Sequence, residues 1–229
     1  MNITVWPSLL SGTVHAPASK SVMQRLVAGA LLSHGTSVLH NLSQADDCTA
    51  SLLMAAQLGA EVAIGENHVA ITGVNGQPKS REGILTPMES GLGSRLFAPI
   101  AGLAPPPIQM SAEGNLKGRP MHEIIDAVES LGGKIEGTNG SFPLAFNASI
   151  SGGKINIDGS LSSQFLTGLL MALPCAPNDS HIVVRNLVSK PYVVLTLEIL
   201  EDFGIEIDSN QQLTEFSIRG GQNYEQIEA

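Results

Sequence analysis

Basic and hydroxyl side chains recur at the predicted helix starts of this sequence, where they could together bind a ligand. The stretch from Ala16 to Arg25 follows a β-prone run, Gly12 to His15, and precedes an apolar segment. We interpret it as a strand that passes through a turn into a helix. A helix N-terminus presents unpaired backbone N–H groups and a partial positive charge, and this one adds Lys20 and Ser21. The pattern is typical of an anion-binding site.

A simpler interpretation is that Ser19 is only an N-cap and that Lys20 and Arg25 are solvated surface charges. Against it, the arrangement recurs further along the chain. Half of the basic residues lie at or just inside predicted helix starts, namely Lys20, Arg25, Arg95, Lys117, Arg119 and Lys190. The helix dipole disfavours cations at these positions. The sequence therefore predicts a negatively charged ligand that offsets them.

Two kinds of helix start recur. A glycine-rich turn from Glu89 to Arg95 and the run Ser162-Ser163-Gln164 each open a first helix. Gly118-Arg119-Pro120 and Ser189-Lys190-Pro191-Tyr192 each open a second helix, with proline close to the first helical position where it is preferred.

Hydrophobic periodicity predicts alternating strands and helices. The predicted strands are 12–15, 35–42, 61–64, 68–71, 107–111, 134–136, 143–146, 154–157, 181–185, 205–207 and 216–218. The predicted helices are one that begins near Lys20, one that is capped by 43–47 and ends at Gly59, and then 90–103, 119–131, 162–173 and 191–203.

The order of these elements repeats. Glycines that follow a predicted helix occur at Gly59, Gly132 and Gly204, at spacings of 73 and 72 residues, and glycine is the preferred residue just after a helix. A period this long indicates three similar βαβαββ units. Because the helices are apolar on most faces, above all 166–173, we expect helices inside and sheets outside. The predicted fold is α/β, one domain of three units.

Composition limits the function. The chain has 229 residues and a formal net charge of −9, which argues against a nucleic-acid partner. Cys48 and Cys175 lack CxxC spacing and are expected to be buried thiols in a reducing compartment. No metal motif, membrane span or signal peptide is evident, so we expect a cytoplasmic protein.

Four motifs together resemble the 5-enolpyruvylshikimate-3-phosphate synthase family. They are Pro17-Ala18-Ser19-Lys20-Ser21 with Arg25, Lys117-Gly118-Arg119-Pro120, Ser162-Ser163-Gln164-Phe165 and Val188-Ser189-Lys190-Pro191-Tyr192. They span nearly the whole chain in the family's order. The resemblance implies the enolpyruvyl transferase fold, with units at about 12–73, 80–148 and 153–220.

The resemblance also implies roles for individual residues. Its ligands for shikimate 3-phosphate are Lys20, Ser21, Arg25, Ser162, Ser163 and Ser189, with Lys190 and Tyr192 nearby. Its ligands for phosphoenolpyruvate are Lys20 and Arg119, and Gln164 lies between the two substrates. Hydroxyl groups and helix starts suit a phosphate, and guanidinium groups suit a phosphate or carboxylate.

The implied reaction transfers the enolpyruvyl group from phosphoenolpyruvate to the 5-hydroxyl of shikimate 3-phosphate. It implies no metal or organic cofactor, only a general acid/base pair and dense positive charge. In this family the catalytic Asp and Glu lie in a second, C-terminal domain. We therefore expect an N-terminal half that is inactive alone, with Lys20 and Gln164 as its catalytic contribution and the C-terminal domain as its partner in a monomer.

The same comparison predicts the ends of the domain. Residues 1–11 are expected to be a strand segment that belongs to the second domain. Residues 222–229 are expected to be an interdomain crossover cut short, and 12–221 to be the substrate-binding domain.

The resemblance is weaker at Glu89 to Pro99, where many members have a loop of the Asn-Ala-Gly-Thr-Ala-Met-Arg-Pro type. Gly93, Ser94 and Arg95 all remain candidates for contact with phosphoenolpyruvate.

Two alternatives stay open. The first is the sister enolpyruvyl transferase that acts on a UDP-amino sugar, although that family resembles Lys-Asn rather than Lys20-Ser21 and carries a loop cysteine that neither cysteine here matches. The second is a non-catalytic binding module of the same fold.

Overall fold

A computed structural model describes residues 3–4, 6–9 and 11–229. The helices in this part of the chain are α1 (Lys20–Leu32), α2 (Asp46–Gln57), α3 (Gly91–Ala101), α4 (His122–Ser130), α5 (Gln164–Ala172) and α6 (Lys190–Asp202). The strands are β1 (Thr36–His40), β2 (Glu61–Ile64), β3 (His68–Thr72), β4 (Ile84–Leu85), β5 (Ile108–Met110), β6 (Lys134–Thr138), β7 (Ser141–Ala148), β8 (Lys154–Asp158), β9 (Ser180–Arg185), β10 (Ile207–Ser209) and β11 (Glu215–Ile218).

The strands form three sheets, in the orders β1-β3-β2, β4-β5-β7-β6 and β10-β11-β9-β8. Each sheet contains an antiparallel hairpin, and in the last two sheets an additional strand, β4 or β8, runs parallel to its neighbour. The last residues of the chain lie parallel to β1, with isolated bridges from Tyr224 to Ser33 and from Glu228 to Val38.

The helices supply the core. All residues of α5 from Phe165 to Ala172 are buried, as are those of α3 from Leu92 to Ala101. The strands instead alternate between buried and exposed residues, as in β8 and β11, which is typical of sheets with one face on a core and one in solvent. The prediction of three α/β units with helices inside and sheets outside is confirmed.

The repeat signal is also confirmed at the backbone level. Gly59, Gly132 and Gly204 all follow the second helix of a unit and have φ values of 107°, 89° and 75°. Residues other than glycine are strained at these positive φ values. The equal spacing of these glycines therefore reflects the same helix ending in each unit.

The structure corrects the predicted start of α4. The helix begins at His122 rather than Arg119, which is extended with ψ 137°. Pro120 explains the difference, because the residue before a proline is disfavoured in the helical region. A short 3-10 helix, 114–118, precedes Arg119 instead.

Other predictions were wrong in detail. Residues 12–15 form no strand and are exposed. The tenth strand is 207–209 rather than 205–207, and the two-residue strand β4 was missed because so short a run has no readable period. Cys175 is only half-buried, whereas Cys48 is buried. Of the segment 1–11, residues 1, 2, 5 and 10 lie outside the described residues.

Among the described residues, no helix combines the length and apolar character needed to cross a membrane.

The close approach of α3 and α5 depends on Gly168. A Cβ atom at this position would collide with the backbone carbonyl oxygen of Arg95 and would lie 3.1 Å from Pro99. Two helices can approach this closely only where one of them has no side chain.

Gly168→Ala is therefore expected to destabilise the fold by about 2 kcal/mol, even though alanine favours a helix by about 1 kcal/mol over glycine. Urea unfolding would measure the change. Gly118→Ala is the matched control, because a Cβ atom there meets nothing within 4 Å. Equal stability of the two variants would contradict the packing argument.

Candidate functional site

A cavity of about 430 Å³ lies where the starts of the helices meet. Every helix from α1 to α6 contributes residues from its first turns or from the segment just before it. Nine of the site residues predicted from the sequence line this cavity: Lys20, Ser21, Arg25, Arg119, Ser162, Ser163, Gln164, Ser189 and Tyr192. Asp47, Glu89, Gly91 and Leu92 complete the lining. The fold thus brings together residues that are up to 172 positions apart, from Lys20 to Tyr192.

Arg25 is the most unusual of these residues because its guanidinium group is buried without an acidic partner. The residue is 1% exposed. Its nitrogen atoms donate to the hydroxyl groups of Thr196 at 2.9 Å and Thr167 at 3.2 Å. They also donate to the carbonyl oxygens of Ser21 at 2.8 Å and Tyr192 at 3.3 Å. All four acceptors are neutral.

Burial lowers the pKa of Arg25 to about 10, and the nearby Tyr192 counteracts only part of this effect. Arg25 nevertheless remains charged at neutral pH. Although its hydrogen bonds are largely satisfied, a buried charge is costly unless it is paired, and Arg25 is a positive charge at the cavity wall that no carboxylate offsets. The interpretation of Arg25 as a solvated surface charge is wrong.

Lys20 has a partner that sequence analysis did not identify. Its Nζ atom donates to Asp47 Oδ2 at 2.6 Å. Ser19 is indeed the N-cap of α1 and accepts from the backbone N–H of Val22. The first turn of α2 therefore provides the negative charge that offsets the lysine at the start of α1.

Two further guanidinium groups converge on Gly91. A Cβ atom there would lie 3.0 Å from Nη1 of Arg119 and 3.4 Å from Nη1 of Arg95. Burial lowers the pKa of Arg95, and the positive charge of Arg119 lowers it further, against the opposite effect of Glu123. A side chain at this position would therefore have to displace the end of the Arg119 side chain by a few tenths of an ångström.

Arg95 also orients Gln164. Its Nη1 atom donates to Gln164 Oε1 at 3.1 Å and to the carbonyl oxygen of Gly91 at 3.2 Å, while its guanidinium group lies 4.9 Å from the ring centre of Phe165. Because the amide oxygen of Gln164 is occupied, its amide nitrogen is the group left to donate into the cavity. Nε of Arg95 is buried without a partner.

The other predicted residues of this loop lie behind the cavity wall. The backbone N–H of Gly93 donates to the Ser90 hydroxyl at 3.0 Å, and the Ser94 hydroxyl donates to the Gly91 carbonyl at 3.0 Å. Gly91 and Leu92 line the cavity in place of Gly93, Ser94 and Arg95. Lys190 is exposed and lies outside the cavity lining.

The segment that carries Arg119 is held at both ends. The Ser141 hydroxyl lies 2.6 Å from the carbonyl oxygens of Lys117 and Arg119. At the other end, Glu89 Oε2 accepts from the backbone N–H of Asn115 at 3.1 Å. An exposed arginine on an extended segment is thereby kept at the cavity.

Hydroxyl groups form the remaining wall. Ser162 Oγ accepts from the backbone N–H of Gln164 at 3.1 Å. Ser189 has a left-handed backbone, with φ 55° and ψ 41°, and its side chain makes no capping bond to α6. Its hydroxyl is therefore available to a ligand. Within the described part of the chain, no group of three or more His, Cys, Asp and Glu residues is arranged to hold a metal ion.

Sequence reasoning missed the acidic and apolar members of the lining. Asp47 lies in the first turn of α2, where a carboxylate is favourable for the helix alone, so its position did not indicate a ligand site. Glu89 and Leu92 are part of the glycine-rich turn, whose exact register only the backbone path reveals. The basic residues could be found because their positions oppose the helix dipole.

Three α/β units around buried helices, with one cation-rich cavity at the helix starts, define the enolpyruvyl transferase fold. The family model for EPSP synthase (3-phosphoshikimate 1-carboxyvinyltransferase) matches residues 6–229. The chain belongs to the EPSP synthase family.

Individual relatives and a solved structure are consistent with this family assignment. Relatives named 3-phosphoshikimate 1-carboxyvinyltransferase from Escherichia coli O17:K52:H18 (strain UMN026 / ExPEC) and from Escherichia coli (strain K12 / DH10B) are both 37% identical to the chain over 232 residues. Each match covers 98% of this chain and 54% of the relative. The chain thus spans about half the length of the curated relatives it matches. A solved EPSP synthase from Acinetobacter baumannii has the same fold, with a TM-score of 0.83 and 22% identity over 95% of this chain and 48% of that one.

The uncompensated charge of Arg25 predicts anion-linked stability. At a phosphate concentration of ten times Kd, we expect a stabilisation of about 1.4 kcal/mol and a rise in Tm of about 3 °C for the wild-type chain. Arg25→Met should lose this rise. Thermal unfolding in phosphate and in chloride at equal ionic strength would measure it.

The control for this experiment is Arg185→Met, which removes the same charge from the exposed end of β9 and should keep the phosphate effect. If phosphate stabilised Arg25→Met as much as the wild type, Arg25 would not belong to an anion site.

Proposed function

We propose that this chain binds shikimate 3-phosphate and phosphoenolpyruvate in the cavity at the helix starts. Together with a second domain, it would transfer the enolpyruvyl group from phosphoenolpyruvate to the 5-hydroxyl of shikimate 3-phosphate. The observation that carries the proposal is the buried guanidinium group of Arg25, which has neutral hydrogen-bond partners only. The names of the relatives support the choice of substrates.

The two anions would occupy different parts of the cavity. The serine hydroxyls and Arg25 would bind the phosphate of shikimate 3-phosphate, because a phosphate accepts several hydrogen bonds at once. Arg119, beside Gly91, would bind phosphoenolpyruvate at the start of α3. Lys20 lies at the cavity with donors for both substrates. The serines in this assignment are Ser21, Ser162, Ser163 and Ser189.

In the proposed reaction, the 5-hydroxyl group loses its proton as its oxygen bonds to C2 of phosphoenolpyruvate, and C3 gains a proton, so that the C2–C3 double bond becomes single. The tetrahedral intermediate then loses phosphate from C2 and a proton from C3, which restores the double bond. Lys20 and the Gln164 amide would donate to this intermediate, whose negative charge makes fixed donors valuable. The proton transfers would fall to carboxyl groups of the second domain, and no cofactor is required.

The domain boundaries are part of the proposal. Residues 12–221 would form the substrate-binding domain, with units at about 12–73, 80–148 and 153–220. Residues 1–11 would pair with the second domain, and 222–229, which lie beside β1, would lead toward it. The complete enzyme would act as a monomer.

The alternatives make different predictions. A UDP-amino sugar has a diphosphate and a bulky sugar, and the sequence Lys20-Ser21 differs from the Lys-Asn of that family. Calorimetric titration with shikimate 3-phosphate and with a UDP-amino sugar would separate these two functions. A steady-state assay together with the C-terminal domain would distinguish either enzyme from a binding module.

We expect shikimate 3-phosphate to bind measurably but weakly to the 229-residue chain, and more tightly at low salt, because an open site is screened by solvent ions. Phosphoenolpyruvate should bind more weakly still, since the second domain would supply much of its positive surround. Combined Ser163→Ala and Lys20→Met substitutions should abolish the shikimate 3-phosphate signal without unfolding the domain. Calorimetry would measure all three. Tighter binding of phosphoenolpyruvate, or indifference to the double substitution, would refute the assignment.

The 229-residue chain should also fail to turn over the two substrates, because the proposed acid/base carboxyl groups lie in the second domain. Phosphate release is the measurement, with a full-length relative as the positive control. Release at a comparable rate by the chain alone would show that its own residues complete the catalytic site.

A further inference from the structure

Asp47 lines the cavity, yet none of the roles proposed above uses it. Its carboxylate accepts a hydrogen bond of 2.6 Å from the ammonium group of Lys20. We propose that Asp47 is a positioning residue that holds Lys20 in the cavity, oriented to receive the anionic substrate. The identity of that substrate rests on the proposed function, whereas the pairing itself does not.

The pairing with Asp47 leaves Lys20 with hydrogen-bond donors for a substrate. An ammonium group has three donors, and Asp47 occupies one of them. The side chain of Lys20 is 48% exposed and that of Asp47 24%, so a lysine without this bond would sample many rotamers in solvent. Fixing the side chain before the substrate arrives removes an ordering cost from binding.

The charges of the surroundings favour the same role. Lys20 begins α1 and Asp47 lies in the first turn of α2, so the dipole of α2 favours the carboxylate while that of α1 disfavours the ammonium group. Asp47 also lines a recess of about 250 Å³, together with further acidic side chains and Ser90, the N-cap of α3. These acidic residues are Asp46, Glu89 and Glu113. Asp47 therefore lines both the acidic recess and the cavity that contains Lys20.

Asp47 also remains ionised at neutral pH. Burial alone would raise its pKa, but the hydrogen bond from Lys20, with contributions from Ser90 and from the charge of Lys20, lowers the pKa below the usual range of an aspartate. The bond therefore joins a carboxylate to an ammonium group, which is the stronger, charge-assisted kind.

Two possible roles for Asp47 predict effects of opposite sign. If the carboxylate were merely a negative charge near an anion site, its neutralisation would remove a repulsion and tighten anion binding. If it positions Lys20, neutralisation frees the lysine and weakens binding. The direction of the change decides between them.

The experiment compares Asp47→Asn with Asp46→Asn by calorimetric titration of the full chain with shikimate 3-phosphate. Asp46 is exposed and precedes Asp47 in the same helix turn, so the control removes the same charge at nearly the same place. Asp47→Asn should weaken binding about tenfold, the size expected for one charged hydrogen bond. Asp46→Asn should leave binding unchanged or slightly tighter. In a Lys20→Met background, Asp47→Asn should have no further effect.

Equal or tighter binding by Asp47→Asn would overturn the proposal, as would a further tenfold loss of affinity when Asp47→Asn is added to Lys20→Met. A second experiment tests the pairing of Asp47 with Lys20 without any substrate. NMR titration of the Asp47 carboxyl carbon should give a lowered pKa in the wild type and a higher one in Lys20→Met. If the wild type fails to bind shikimate 3-phosphate, the proposed function fails, and this titration still decides the pairing: an unchanged pKa in Lys20→Met would refute it.

Discussion

The structure of this domain depends on how positive charge is tolerated at the starts of its helices. A helix N-terminus already carries a partial positive charge, and a lysine or arginine added there is unfavourable. The fold gathers several such starts around one cavity, so the repulsions accumulate rather than disperse. Lys20 is offset within the chain by Asp47. Arg25 and Arg119 have no carboxylate partner among the salt bridges of the described residues, and the proposed anionic substrates would supply the missing negative charge.

The helices can meet in this way because the sheets cover them. Each sheet buries one face of its strands against the helices, which are apolar on most sides. Glycines then allow the helices to approach closely: Gly168 admits the backbone of α3, and Gly29 admits the ring of Phe203. A larger side chain at either position would push the packed elements apart. The close packing of the helices therefore depends on both glycines.

The sequence was informative where a pattern repeats or opposes a local preference. The glycines after the second helices revealed three units because each must adopt the same left-handed conformation. The cations of the cavity were found because they lie where a lone helix would not favour them. Asp47 was missed for the opposite reason, since its place in the first turn of α2 satisfies that helix by itself. Its contact with Lys20 spans 27 residues and belongs to tertiary packing, which local sequence patterns do not encode.

The glycine-rich turn before α3 is a second place where local sequence patterns did not determine which residues line the cavity. Gly93, Ser94 and Arg95 were equally plausible contacts from the sequence, but the start of α3 at Gly91 turns them inward. The hydroxyl of Ser90 caps the helix by accepting from Gly93, which fixes the rotation of the first turn and leaves Gly91 facing Arg119. The position of this cap therefore determines which residues of the turn line the cavity, and which of them contacts phosphoenolpyruvate stays a prediction.

The burial of the basic groups explains how a chain of net charge −9 could bind the anions proposed for it. Acidic residues lie mostly at the surface, where solvent and salt screen them. The guanidinium group of Arg25 at the cavity wall is withdrawn from water, at 1% exposure, as is that of Arg95 behind it, at 8%, and charges there are screened less than charges at the surface. A negatively charged surface is therefore compatible with a cavity that attracts anions. The attraction of an anion inside the cavity depends on the basic groups next to it rather than on the net charge of the molecule.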